Sequence, residues 1–183
     1  MAGRPSIVGD QAGPEAPYPL QMEGKVISGF GRGSKELGIP TANLPVDAAI
    51  TPWISSTASG VYFGYASLDL DGTPGAHLSV YPMVMSIGYN PFYKNTVRSA
   101  EVHILHKFAG DFYGAHMRLL ILGFIREEKD YKSLDALIED INFDCEVTRT
   151  SLAREAWAPK KGLVVDGPDV NGKLDAEWLI KPL

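Results

Sequence analysis

Gly60–Leu70 reads Gly-Val-Tyr-Phe-Gly-Tyr-Ala-Ser-Leu-Asp-Leu, and Leu78–Ile87 reads Leu-Ser-Val-Tyr-Pro-Met-Val-Met-Ser-Ile. Between them stands Asp71-Gly72-Thr73-Pro74-Gly75. β-Branched, aromatic and long apolar side chains fit extended backbone, and a cluster of Asp, Gly and Pro supplies a turn or an insertion. Three more runs have the same character: Lys25–Ser28, Ala100–Phe108 and Met117–Ile125. A meander of short strands separated by turn residues suggests a closed barrel, which removes exposed strand edges.

Towards the C-terminus the period changes. Tyr131, Leu134, Leu137, Ile138 and Ile141 follow helical spacing, with Ser133 available as an N-cap and Asp135 in the first turn. This predicts a helix running to about Arg154 and packing one face on the barrel. Residues 1–20 carry Pro5, Pro14, Pro17 and Pro19 with several glycines and read as a disordered or draping extension. The expected domain spans 21–158. Residues 159–183 are turn-rich and are expected to pack on it, with Trp157 and Trp178 as anchors. No internal repeat stands out.

The chain of 183 residues suits one domain with a sizeable core. Apolar residues make up 45% and charged residues 21%, which is ordinary for a globular protein. No apolar run reaches the length of a membrane span, and the N-terminus lacks the apolar core of a signal peptide. Asp10 and Glu15 argue against a mitochondrial presequence. The single cysteine, Cys145, cannot form an internal disulfide and reads as a small apolar helix residue, so a reducing, cytoplasmic location is expected. The net charge of −5 and the isolated Lys160-Lys161 pair argue against nucleic-acid binding. Any binding of an anionic ligand must then rest on locally placed cations and a metal. A monomer is expected.

The stretch Gly29 to Asn43 holds such groups: Gly-Phe-Gly-Arg-Gly-Ser-Lys-Glu-Leu-Gly-Ile-Pro-Thr-Ala-Asn. Gly29, Gly31 and Gly33 let backbone N–H groups approach a ligand. Arg32 and Lys35 bring positive charge, while Thr41 and Asn43 bring neutral oxygens of the kind Mg²⁺ accepts. The segment is not a P-loop: Gly24 and Gly29 have the glycine spacing, but Phe30 stands where lysine is needed. It is not the dinucleotide fingerprint either, because Gly29 and Gly31 are followed by Ser34. Pro40 opposes a helix running on from the loop. A flexible glycine-rich hairpin, with Thr41 and Asn43 bonding to their own backbone, is an equally simple reading of these residues alone.

In Ala100–Phe108, alternation puts Val102, Ile104, His106 and Phe108 on one face and Glu101, His103, Leu105 and Lys107 on the other. By alternation alone Glu101 and His103 face solvent. His103 and His106 lie on opposite faces, so they and His116 make a poor transition-metal set.

Five elements in register resemble riboflavin kinase. They are Gly24-Lys25-Val26-Ile27 through Gly33 with Leu37–Asn43; Gly60–Gly64; Ser86-Ile87-Gly88-Tyr89-Asn90-Pro91 with Tyr93-Lys94-Asn95; Glu101–His106; and Asp111-Phe112-Tyr113-Gly114. The likeness covers roughly Glu23 to Leu152. It implies a mainly β fold, a closed antiparallel barrel of about six strands with Greek-key-like order and one long C-terminal helix. It implies transfer of the γ-phosphate of MgATP to the ribityl 5′-hydroxyl of riboflavin, giving FMN and ADP.

The resemblance also implies roles. Glu101 matches the catalytic base. Gly29, Gly31, Gly33, Lys35 and Thr41 match residues on the phosphates, and Ile104, His106 and Tyr113 match positions beside the adenine nucleotide. Thr41 and Asn43 match the ligands of Mg²⁺, with Zn²⁺ or Mn²⁺ as alternatives. Arg126, Lys129 and Tyr131 match a flavin-contacting loop between the last strand and the helix, although Glu127 stands where the family often has proline. Tyr131 suits stacking on a flavin ring and equally a core contact at the helix start. A flavin-storage barrel needs neither a base nor metal ligands, and an oligonucleotide-binding barrel needs a basic, aromatic-lined face. No upstream α/β segment precedes Glu23, so a second, FMN-adenylylating activity is not expected.

Overall fold

The computed structural model describes residues 3–27, 41–70, 72, 78–89, 97–160, 164–168 and 171–182. The strands are β1 (Leu20–Lys25), β2 (Ala42–Leu44), β3 (Gly60–Asp69), β4 (Ser79–Tyr89), β5 (Arg98–Ile104) and β6 (His116–Arg126). Helix α1 spans Leu134–Leu152, and the short α2 spans Glu177–Ile180. All strand pairs are antiparallel, in the order β1-β6-β3-β4-β5-β2. The run β6-β3-β4-β5 is the Greek-key order, in which three consecutive strands are joined by a fourth that returns beside the first.

The expected closure is not realised. The segment just after β1 meets the other edge strand, β2, at the Ile27–Asn43 bridge, where Ile27 N–H donates to Asn43 C=O at 2.8 Å and Asn43 N–H to Ile27 C=O at 3.4 Å. β2 is only 3 residues long and spends one side on β5. It has too little backbone left to continue a ladder to β1, and the sheet curls into an open half-barrel. β1 also ends at Lys25, where the expected strand began, and β5 ends at Ile104, four residues before Phe108.

Both faces of the sheet are buried at its centre. The concave face carries Met22, Tyr62, Ala66, Leu68, Met83, Met85, Ile87, Ala100, Val102, Ile104, Leu119 and Ile121. The convex face carries Phe63, Tyr65, Val80, Leu120 and Leu122, covered by Leu152, Trp157, Leu174 and Leu179. A fully buried side chain of this size stabilises the fold by about 1.5–3 kcal/mol. Trp157 stacks on Phe63 with ring centroids 5.6 Å apart, and Tyr65 donates its hydroxyl to Trp157 C=O at 2.8 Å. Gly64 sits at a register shift of β3, where a Cβ would stand 2.0 Å from the Leu120 carbonyl oxygen.

Helix α1 begins as its sequence predicts, with Ser133 Oγ accepting from Ala136 N–H and Asp135 in the first turn. Its buried face is not the predicted apolar stripe. Leu134 is exposed, while Asp140, Asp144, Cys145, Val147, Thr148, Ser151 and Leu152 are buried. Residues 4–13 lie along this helix and the segment after it. Val8 N–H donates to Ser151 Oγ, Arg154 reaches the carbonyls of Val8 and Gly9, and Trp157 Nε1 donates to Asp10 C=O. At the other end Val164 bridges in parallel to Val80, beside the part of β4 that β5 has left. Among the described residues no helix is long and apolar enough to cross a membrane.

Candidate active site

Strand β5 organises the site. In its ladder with β2, Glu101 stands directly opposite Asn43, and in its ladder with β4 it stands opposite Ser86. Asn43 turns both its N–H and its C=O towards Ile27, so its pairing with Glu101 is the non-hydrogen-bonded kind. In such pairs Cα atoms lie about 4.5 Å apart and side chains approach most closely. The neighbours Ala42, Leu44, Ala100 and Val102 point into the concave core, which fixes Asn43, Glu101 and Ser86 on the opposite face. Asn43 is buried and Glu101 half-buried. Thr41 immediately precedes β2 and, by alternation, lies on the side of Asn43.

The segment after β6 gathers a second group. Arg126 donates through Nε and Nη2 to Asp144 at 2.9–3.1 Å. Lys129 Nζ lies 2.8 Å from Asp140 Oδ2, and the Tyr131 hydroxyl donates to the same oxygen at 2.7 Å. Arg126 and Lys129 also lie over the Tyr131 ring, 5.9 and 5.3 Å from its centroid. Burial alone would raise the Asp140 carboxyl; hydrogen bonds from Lys129 and Tyr131, with the charges of Arg4 and Arg126, outweigh it and hold the group down at about 2. Burial also acts first on Arg126, lowering its pKa, but the Asp144 carboxylate more than reverses this and the net shift is upward.

The two groups meet on one sheet face. Glu128 lies over Gly88 of β4, where a Cβ would stand 2.6 Å from Glu128 Oε1. Gly88 pairs with Ser99, two positions before Glu101 on β5, which is about 7 Å at 3.3 Å per residue.

A third group lies beyond the other end of β5. Ile104 is buried on the concave face and so does not share the face of Glu101. His106, in the bend after the strand, donates from Nδ1 to Asp166 Oδ2 at 2.5 Å and packs on Tyr81 and Phe108. Tyr113 is exposed in the turn before β6, where Gly114 N–H donates to Val26 C=O. Gly29, Gly31, Gly33 and Lys35 lie outside the described residues.

Residues 16–152 match the Flavokinase family, described as riboflavin kinase. The chain belongs to the riboflavin kinase family. A riboflavin kinase of Pyricularia oryzae is 65% identical, over 98% of this chain and 95% of the relative. One of Neurospora crassa is 49% identical over 97% of each chain. The crystal structure of riboflavin kinase from Trypanosoma brucei superposes with a TM-score of 0.60 at 30% identity, covering 75% of this chain and 82% of that one. The chain is thus an enzyme of riboflavin kinase type, using ATP to phosphorylate riboflavin to FMN.

Within that family setting, several residues were not legible as site members. Ser86 and Gly88 sit in a motif that resembles the family, but only the register puts Ser86 beside Glu101 and Gly88 under Glu128. Asp140 and Asp144 look like solvent-facing helix residues until their partners are seen.

Proposed function

We propose that phosphoryl transfer takes place at the face of β5 that carries Glu101, with riboflavin entering from the Arg126–Tyr131 side and ATP from the His106 side. The carrying observation is the position of Glu101. It faces Asn43 and lies between the two groups, about 7 Å along β5 from the Ser99–Gly88 pair and about 10 Å from Ile104 at 3.3 Å per residue. Glu101 accepts the proton of the ribityl 5′-hydroxyl as the new P–O bond forms and the bond to the ADP leaving group breaks. Arg126, Lys129 and Tyr131 hold the flavin. Ile104, His106 and Tyr113 flank the adenine nucleotide, and Gly29, Gly31, Gly33, Lys35 and Thr41 receive its phosphates.

The donor set suits a divalent cation of the Mg²⁺ type. Asn43 and Thr41 offer neutral hard oxygens on one side of β2, and Mg²⁺ takes few protein ligands and keeps waters and phosphate oxygens. When bound, the ion would neutralise charge on the polyphosphate. The lone cysteine supports a cytoplasmic setting, and we take the working unit to be a monomer.

Affinity measurements on single variants test the layout. Lys129→Ala is expected to raise the Kd for riboflavin with little effect on MgADP, and His106→Ala to do the reverse. Equal effects of both variants on both ligands would overturn it.

A further inference from the structure

Asp140 and Asp144 of α1 have relative exposures of 0% and 1%. Buried carboxylates are costly unless each is met by a cation or several donors. Three of the groups that meet them come from the adjoining segment: Arg126, Lys129 and Tyr131. The fourth comes from the far end of the chain. Arg4 donates through Nη1 to Asp140 Oδ1 at 2.8 Å and through Nη2 to Asp144 Oδ1 at 2.5 Å, bridging the two carboxylates. Its guanidinium lies over the Phe143 ring, 4.5 Å from the centroid. Arg4 lies outside residues 16–152, the part that matches the family model.

Among the described residues, three cations meet the two carboxylates: Arg4, Arg126 and Lys129. The cations differ in freedom. The side chains of Arg4 and Arg126 are 17% and 15% exposed, whereas that of Lys129 is 48% exposed. Lys129 is therefore the one that can leave. When it does, Asp140 keeps Arg4 on Oδ1 and the Tyr131 hydroxyl on Oδ2. Without Arg4, the same departure would strip Asp140 of its direct cationic donors among the described residues.

We infer that Arg4 is a positioning residue for riboflavin binding: by neutralising Asp140 and Asp144 it releases Lys129 to engage the flavin. The segment that delivers Arg4 is built to hold it. Val8 is tied to Ser151, and Gly9, at φ +86°, sits so close on Trp157 that a Cβ would stand 2.4 Å from the ring. This inference rests on the reading of Arg126–Tyr131 as the flavin side of the site.

The test measures Kd for riboflavin by fluorescence at saturating MgADP, and Kd for MgADP separately. The full-length variants are Arg4→Ala, Arg4→Lys, Lys129→Ala and the double variant Arg4→Ala/Lys129→Ala. Arg4→Ala is expected to raise the riboflavin Kd about tenfold, the scale of one charged hydrogen bond, and to leave the MgADP Kd unchanged. Arg4→Lys, whose single ammonium can serve one carboxylate, should fall between; if Arg4→Ala does not fold, this variant carries the comparison. In the Lys129→Ala background, Arg4→Ala should have no further effect on riboflavin affinity. A purely structural Arg4 would lower the unfolding temperature while the folded fraction kept its riboflavin Kd, and that result would overturn the inference. If Lys129→Ala alone leaves riboflavin affinity unchanged, the flavin-side reading fails and the inference with it. If Lys129→Ala weakens riboflavin and Arg4→Ala does not, only the role of Arg4 fails.

Discussion

Asn43 and Glu101 face each other across the β2–β5 ladder in a non-hydrogen-bonded pair, on the side of the sheet away from the concave core. A neutral oxygen donor and a carboxylate are thereby held as close neighbours by backbone register. If Asn43 holds the cation and Glu101 the proton, the two variants should separate kinetically. Asn43→Ala should raise the Mg²⁺ concentration needed for half-maximal rate at saturating ATP, and added Mg²⁺ should restore much of the activity. An unchanged Mg²⁺ midpoint in the folded variant would return Asn43 to a role in strand pairing.

Two glycines of the sheet should respond to the same change to different degrees. At Gly64 a methyl group would meet the backbone carbonyl of Leu120 at 2.0 Å, and backbone cannot step aside cheaply. Gly64→Ala should cost about 3 kcal/mol or more, at the upper end for overpacking. At Gly88 the obstacle is the carboxylate end of Glu128, which can rotate away. Gly88→Ala should cost less than about 1 kcal/mol, yet weaken riboflavin binding by displacing Glu128. Urea unfolding and riboflavin titration of the two variants read both effects.

Stability should fall in acid through Asp140. Its carboxyl is held at about 2 in the folded chain against an ordinary 3.8. A depressed pKa contributes stability that is fully present above the unfolded value and is lost as pH falls through the folded one. The Asp140 contribution should therefore disappear between about pH 4 and pH 2. Asp140→Asn should be less stable than the parent at neutral pH, and the difference should shrink across that window when unfolding is followed against pH.

Cys145 should be inert in the folded enzyme. Burial pushes its thiol up to about 11, with Asp144 and Glu146 adding to the shift and Arg149 opposing it. A disulfide-forming thiol reagent at pH 8 should label it only after denaturation, because the thiolate is the reactive form. Rapid labelling of the native protein would contradict the packing of α1 on the sheet.

The parts of the fold legible in the sequence are those whose signal is local. β3, β4 and β6 are long apolar runs ended by turn residues, and α1 starts at a serine cap. β2 is not legible because three residues carry no period, so Asn43 reads as part of a turn until β5 supplies its partner. The buried face of α1 is not legible for a different reason. Asp140 and Asp144 go inside, and Leu134 stays out, because Arg4 and Arg126 reach the helix from elsewhere in the chain. Long-range charge pairing overrides the apolar stripe. Glu101 stood out through likeness to a family; its own strand pattern indicated only a face.

In the proposed reaction Glu101 removes the proton from the ribityl 5′-hydroxyl of riboflavin. The most direct test of this step is the single-turnover rate of FMN formation by Glu101→Gln at saturating riboflavin and MgATP, compared with the parent enzyme. The glutamine keeps the shape and abolishes the base, so the rate should fall at least about 10²-fold, with the Kd values of both substrates nearly unchanged. A near-normal rate in the folded variant would contradict the assignment and leave Glu101 a half-buried strand residue with no part in the proton transfer.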